Sequence, residues 1–157
     1  MGYQMKYLLL VFILLFISGC AEKYQEPISG EYATISVPHD KIKYTIGFSG
    51  EQYFVGLLDE TGCIGKMTKI EEKSSNQDFE TIKIPANKYF AIRVFSYVRN
   101  SNCFVDSSFK PEANKHYVVS SKVFDNMCYL YVDRKEGNQT IIVGLENLKL
   151  SSGKLCR

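Results

Sequence analysis

Apolar and polar positions alternate with a period of two along most of this chain, the signature of half-buried strands. The cleanest case is Ile42, Tyr44, Ile46 and Phe48, interleaved with Lys41, Lys43, Thr45 and Gly47. A weaker alternation covers Glu31 to Val37, and a more continuous apolar run covers Tyr53 to Leu58 after a turn at Ser49-Gly50-Glu51. Asp59-Glu60-Thr61-Gly62 reads as a turn with glycine last, followed by a strand from Cys63 to Lys69. Residues 71–78 are polar and unpatterned and form the longest predicted loop. Phe79 to Ile84 and Tyr89 to Val98 read as a hairpin around Pro85-Ala86-Asn87-Lys88. Cys103 to Phe109 and His116 to Phe124 read as a second one around Pro111 to Lys115. Met127 to Asp133 returns after a tight Asp125-Asn126 turn, Arg134 to Gln139 reads as a polar turn, and Thr140 to Leu145 is a further strand. Glu146 to Leu150 either extends that strand or makes a short helical turn. About eight to ten short strands with turn signals between them predict an all-β fold, an antiparallel β-sandwich or small barrel.

One stretch breaks the period. Met5 to Cys20 opens on Lys6, continues through an apolar segment from Tyr7 to Ile17, and closes on Ser18-Gly19-Cys20. About 11 apolar residues are too few to cross a ~30 Å hydrocarbon layer as a helix. A charged start, a short apolar middle and small residues at a cut site describe an export signal. Ile17-Ser18-Gly19-Cys20 resembles the lipobox of bacterial lipoproteins. The resemblance implies that Cys20 is lipidated on sulfur and becomes the new N-terminus after cleavage. Ala21 and Glu22 lack the aspartate that retains such lipoproteins at the inner membrane in enterobacteria, which implies an outer-membrane anchor facing the periplasm or the surface. The expected organisation is a signal peptide over 1–19, a lipidated cysteine and tether over 20–29 (which include Pro27), and a sandwich domain over 30–157.

Composition narrows the function. Lys6 is the only charge before Cys20, so the 19 basic and 17 acidic residues of the whole chain become 18 and 17 in the part that follows. The charges are mixed, with no run of five or six like charges, so neither a nucleic-acid face nor a polybasic membrane patch is expected. Tyr and Phe number 11 and 10 and tryptophan is absent, a load that leans toward strands. Besides Cys20 there are Cys63, Cys103, Cys128 and Cys156, an even count that reads as two disulfides in an oxidising compartment. No Cys-x-x-Cys occurs and His39 and His116 are far apart, so no metal or cofactor is expected. Three pairings are possible, of which Cys103–Cys128 with Cys63–Cys156 is favoured. If the strands near 103, 120 and 128 were neighbours in one flat sheet, Cys103 and Cys128 would lie ~9–10 Å apart, too far for a bridge. The pairing therefore requires the chain to cross between two sheets, or a loop at Asn100-Ser101-Asn102 to fold over.

Ala-Asn-Lys recurs at 86–88 and 113–115, each time in a turn before a strand. Asparagine tolerates a left-handed backbone, and one turn chemistry used twice accounts for the echo. The segments IPANKYFAIRV and CFVDSSFKPEANKHYVV, with Cys128 beyond them, resemble small bacterial lipoproteins with a sandwich domain. Asn87 and Asn114 stand where those have glycine, and the resemblance carries fold without any catalytic residue.

No enzyme is read from the sequence. His116 near Asp106, with Ser107, Ser108, Ser120 and Ser121, lacks a nucleophile elbow, and His116 reads as a solvated strand-edge residue. His39 reads as a turn residue, and Asp59-Glu60 and Glu71-Glu72 as solvated surface. Ser49-Gly50-Glu51-Gln52-Tyr53 resembles the Ser-Gly-x-x-Tyr motif of lipoprotein inhibitors of c-type lysozyme, which implies a binding role for Ser49, Tyr53 and Lys66. That family's tryptophan is missing here. The other candidate surface is the strand Tyr89–Val98. There Phe90, Ile92, Val94 and Val98 share one face, and Tyr89, Arg93, Phe95 and Tyr97 the other. A strand apolar on both faces is either covered twice or presents a binding surface rich in Tyr and Arg. The expectation is a membrane-anchored, non-enzymatic binding or structural module, its partners the membrane through its lipid and an envelope protein. Lysozyme inhibition is the alternative. Cys20→Ala is expected to abolish metabolic labelling with palmitate and to leave uncleaved precursor on a denaturing gel.

Overall fold

The computed structural model describes residues 23–39, 49–70, 77–98, 101–151 and 153–157. Cys20, Ala21, Glu22, the predicted strand Ile42–Phe48 and the Glu71-Glu72 pair lie outside these residues. The described chain contains no helix and thirteen strands. They are β1 (Tyr32–Pro38), β2 (Ser49–Leu57), β3 (Cys63–Ile64), β4 (Thr68–Lys69), β5 (Phe79–Pro85), β6 (Phe90–Val98) and β7 (Ser101–Phe109). The rest are β8 (His116–Phe124), β9 (Met127–Glu136), β10 (Gln139–Ile142), β11 (Glu146–Asn147), β12 (Lys149–Ser151) and β13 (Lys154–Cys156).

Two five-stranded sheets, ordered β10-β9-β8-β1-β5 and β11-β7-β6-β2-β4, pack face to face, with neither closed into a barrel. All pairings within them are antiparallel except β1 with β8, where Thr34 lies beside His116. Alternation sends one set of side chains inward from each strand: Ala33, Ile35 and Val37 from β1, Ile82 and Ile84 from β5, and Tyr117 and Val119 from β8. Phe90, Ile92 and Val94 of β6 face them from the other sheet. Phe109 fills the core at the end where β7 leaves its sheet, with ring centroids 6.4 Å from Phe90 and 5.0 Å from Tyr117. Fully burying a side chain of this kind contributes roughly 1.5–3 kcal/mol.

The disulfides join Cys103 to Cys128 and Cys63 to Cys156. The first runs from β7 in one sheet to β9 in the other, with Cα atoms 5.6 Å apart. This is the sheet-to-sheet crossing that the pairing requires. The second joins residues directly opposite each other on β3 and β13.

Both expected hairpins around Ala-Asn-Lys are instead corners between the sheets. β5 belongs to one sheet and β6 to the other, and β7 and β8 are likewise separated. The turn chemistry is as read, because Asn87 and Asn114 each have φ of 61°. What distinguishes a corner from a hairpin is what the turn covers. Ala86 and Pro111 are buried over the end of the core, whereas Asp125 and Asn126 at the β8–β9 hairpin are exposed. The two corners also hold each other, since the Asn87 N–H donates to the Pro111 carbonyl at 2.8 Å. The Asn114 N–H donates to Tyr32 O at 2.9 Å, tying the second corner to β1. The Asp125-Asn126 turn has φ of 51° and 58°, the paired positive values that a two-residue hairpin with right-handed strand twist needs.

Other expectations shift in detail. Ser49-Gly50-Glu51 opens β2 and is no turn. The strand expected over Cys63–Lys69 is split by Gly65-Lys66-Met67 into β3 and β4, which enter different sheets. Gly56 permits the fold-back: a Cβ there would meet the Lys66 carbonyl oxygen at 2.7 Å. Glu146–Leu150 neither extends β10 nor turns helically. It supplies β11 and most of β12, and β13 follows. The three-stranded sheet β12-β13-β3 lays Ile64 and Leu148 over Ala91 on the outer side of β6, forming a second small core.

The expected tether is bound to the domain over part of its length. Lys23 forms a parallel bridge with Lys69, and the Tyr24 N–H donates to Lys69 O at 3.3 Å. The Tyr24 hydroxyl donates to Lys83 O at 3.1 Å, and the Lys83 N–H donates to the Glu26 carboxylate at 3.2 Å. The Tyr24 ring meets core Phe90 edge-on at 6.0 Å. Burial, with the Glu26 charge adding to it, pushes the Tyr24 phenol well above its ordinary range. A raised folded pKa means that this docking is fully present below the unfolded phenol value of about 10 and weakens as pH rises beyond it.

The left-handed turns give a direct test. Asn114→Ala is expected to lower the unfolding free energy by about 1 kcal/mol in urea titration, and Asn114→Gly to leave it nearly unchanged.

Candidate binding surface

The outer face of β6 is divided between cover and exposure. Its first part, at Ala91, is roofed by the three-stranded sheet. Tyr89, just before β6, is overlain by the Arg157 guanidinium at 4.2 Å from the ring centroid, so the chain's last residue covers it. Arg93, Phe95 and Tyr97 continue along the same face, half-buried and beyond the roof. Of the four residues picked out on this face, three therefore lie together in the open part and Tyr89 is capped. The inward set behaves as its period demands, with Phe90, Ile92 and Val94 almost fully buried. The side chain of Val98 is outside the description.

Neighbouring strands complete the surface. Phe104 of β7 lies directly opposite Phe95 and is 66% exposed. Phe95 and Tyr97 stack at a tilt with centroids 5.8 Å apart. Arg93 is paired across the strands with Asp106, Nε to Oδ1 at 2.6 Å and Nη2 to Oδ2 at 3.1 Å. This two-point grip fixes the guanidinium plane, which also sits 5.9 Å from the Phe104 ring centroid. The Asp106 side chain is nearly buried and Arg93 is about one-third exposed, so the cation and not the anion is presented to a visitor. The face thus offers two or three aromatic rings and one oriented arginine, chemistry suited to an apolar or acidic protein patch.

A second aromatic stripe lies on the outer face of the other sheet and escaped the sequence reading. Phe124, Met127, Tyr129 and Tyr131 are all exposed around the β8–β9 hairpin, with Lys122 opposite Tyr129. In Met-Cys-Tyr-Leu-Tyr-Val both faces are apolar, so alternation alone gives no direction. The signal that resolves it is Cys128, whose bridge to β7 turns Leu130 and Val132 inward and the tyrosines out.

The remaining candidates separate. Tyr53 is a core residue, 3% exposed, and its hydroxyl lies 2.7 Å from Ser121 Oγ on the facing sheet. It also donates to Glu51 at 3.1 Å, and Ser96 Oγ reaches the same carboxylate at 3.5 Å. The Ser-Gly-x-x-Tyr segment is a strand with its tyrosine inside, because Tyr53 shares the inward parity of Val55. Lys66 is exposed in the β3–β4 connection, where its carbonyl lies against Gly56. Ser49 opens β2 opposite Val98.

His116 is half-buried on central strand β8, where a solvated edge residue was expected. Thr34 Oγ1 lies 2.9 Å from its Nδ1, and Ser36 and Thr81 extend the polar ladder across β1 and β5. Ser36 Oγ also lies 3.5 Å from His116 Nε2, whereas Asp106 and Ser107 belong to the other sheet. A shallow cavity of about 220 Å³ beside His116 is lined by Tyr32, Thr34, Asn114 and Lys115. His39 follows β1 with Nε2 3.5 Å from the Glu80 carboxylate, both largely buried. Asp59 is a turn residue, its carboxylate accepting N–H bonds from Thr61 at 2.9 Å and Cys63 at 3.1 Å. These bonds, with the Thr61 hydroxyl foremost, hold its pKa below the ordinary value. Among the described residues no three His, Cys, Asp or Glu side chains gather to hold a metal.

No protein-family model matches this chain, and no curated protein matches it.

The interior position of Tyr53 has a measurable consequence. Tyr53→Phe is expected to lower stability by about 1–2 kcal/mol by leaving Ser121 without its hydroxyl partner, and Tyr53→Ala by about 3–5 kcal/mol. Urea denaturation with a constant m-value checks both.

Proposed function

We propose that this chain is a lipid-anchored protein of the bacterial envelope, exported, processed at Cys20 and held at the outer membrane. There its disulfide-stapled sandwich acts as a non-enzymatic binding module for an envelope protein. The observation that carries the reading is the outer β6 face beyond the roof, where exposed Phe104 lies beside an arginine fixed by Asp106 and Phe95 and Tyr97 continue the row. The export half rests on the signal-like segment ending at Cys20, and two disulfides suit an oxidising compartment. The alternative, inhibition of a lysozyme, calls for Ser49 and Tyr53 on an exposed loop with Lys66 nearby. The burial of Tyr53 supports the binding module over that alternative.

The test is a pull-down from detergent-solubilised envelope, using the lipidated chain with a tag after Arg157. A stoichiometric envelope protein is the expected result. Phe104→Ala, at an exposed position, is expected to cost about 2 kcal/mol of binding, roughly thirtyfold in Kd. A partner captured equally well by this variant and by Tyr97→Ala removes the assigned surface. An empty pull-down together with inhibition of a c-type lysozyme supports the alternative instead.

A further inference from the structure

The segment that follows Cys20 decides how the domain sits on its membrane, an inference that rests on the lipid anchor proposed above. Lys23, Tyr24 and Glu26 are bound to the seam between β4 and β5, the two strand edges on one side of the sandwich. Only three Cα–Cα steps separate Cys20 from Lys23, so their Cα atoms are at most ~11 Å apart. A domain of this length has a radius of gyration of roughly 14 Å. The leash is therefore shorter than the body it holds, and the body cannot turn over on it.

We infer that the β4–β5 seam is the membrane-facing side of the domain, laid against phospholipid headgroups by the docked Lys23–Glu26 segment. Charge agrees with this placement. Lys23, Lys69 and Lys83 are exposed at the seam, and the Lys83 ammonium stands 4.8 Å over the ring of Tyr32. Acidic residues share this edge: Glu26 accepts the Lys83 N–H, Glu80 is buried on β5, and exposed Asp78 precedes that strand. Lysines beside an anionic leaflet are attracted to it.

The same geometry places the aromatic surfaces away from the lipid. Lys83, Thr34 and His116 lie in one row across β5, β1 and β8. Phe124 on β8 is two strand spacings from the β5 edge, roughly 10 Å, and Tyr129 and Tyr131 on β9 are three, roughly 14 Å. Phe104 on β7 is likewise three spacings from β4. Phe104 and the β8–β9 stripe consequently stand on the side of the domain away from the seam, where a protein partner can reach them from the aqueous compartment.

The chain has no tryptophan, so single-tryptophan variants read position without background. The experiment takes Lys69→Trp and Phe124→Trp in the full lipidated chain, with acylation at Cys20 verified by intact mass. Each is reconstituted into phosphatidylethanolamine–phosphatidylglycerol vesicles carrying a headgroup nitroxide. Quenching is expected to be several-fold stronger at position 69 than at 124. A Gly-Ser insertion of about ten residues before Lys23, with a reach of ~17 Å, is expected to collapse that difference. Equal quenching at both positions in acylated protein overturns the orientation and leaves the anchor standing. A mass without acyl chains overturns the anchor and the orientation with it.

Discussion

The bridge between Cys103 and Cys128 is the constraint from which the directions of the strands follow. A disulfide between facing sheets forces both cysteines to point inward, and a period of two then fixes every other side chain on β7 and β9. Val105 and Phe109 must join the core and Phe104 must leave it, while Leu130 and Val132 enter and Tyr129 and Tyr131 leave. Neither strand carries enough polar contrast to set its own parity. The pairing of β7 with β6 carries the assignment onward, so that Arg93, Phe95 and Tyr97 share the outward side with Phe104. A covalent bond at one end of the sandwich thus decides which aromatic residues are core and which are surface.

Most strands were legible because alternation and turn residues are local properties. Pairing was not, because a corner and a hairpin use the same backbone chemistry. Asn87 and Asn114 take the left-handed conformation whether the chain returns within a sheet or passes to the other one. The difference lies in Ala86 and Pro111, which are apolar residues inside turns and so mark segments folded over the core. The split at Gly65 was hidden for another reason. β3 and β4 have two residues each, too few for any period, and exist only because partners elsewhere hold them.

The candidate surface was half visible. Reading β6 as apolar on both sides offered two explanations, cover or binding. Cover holds for its first part, where the C-terminal strands roof Ala91, while Phe95 and Tyr97 lie half-buried beyond the roof. The Cys63–Cys156 pairing is the sign of that roof in the sequence, since β12 and β13 lack hydrophobic runs and β13 is pinned to β3 by this bridge. The Ser-Gly-x-x-Tyr match misled because a motif specifies residue types without parity, and parity puts Tyr53 inside. The hydroxyl that looked available for a partner is instead bonded across the core to Ser121.

The docked N-terminal segment also answers a hazard common to open sandwiches. An unpaired strand edge is a template for adding a strand from another molecule. β4 and β11 are two residues long and β10 four, too short to template much. β5, with seven residues, is the longest of the four strands that end the two large sheets. Tyr24 and Glu26 occupy its middle through the carbonyl and the N–H of Lys83. A neighbouring molecule is thereby denied strand addition at the middle of β5, and the guard is built from Tyr24 and Glu26 alone.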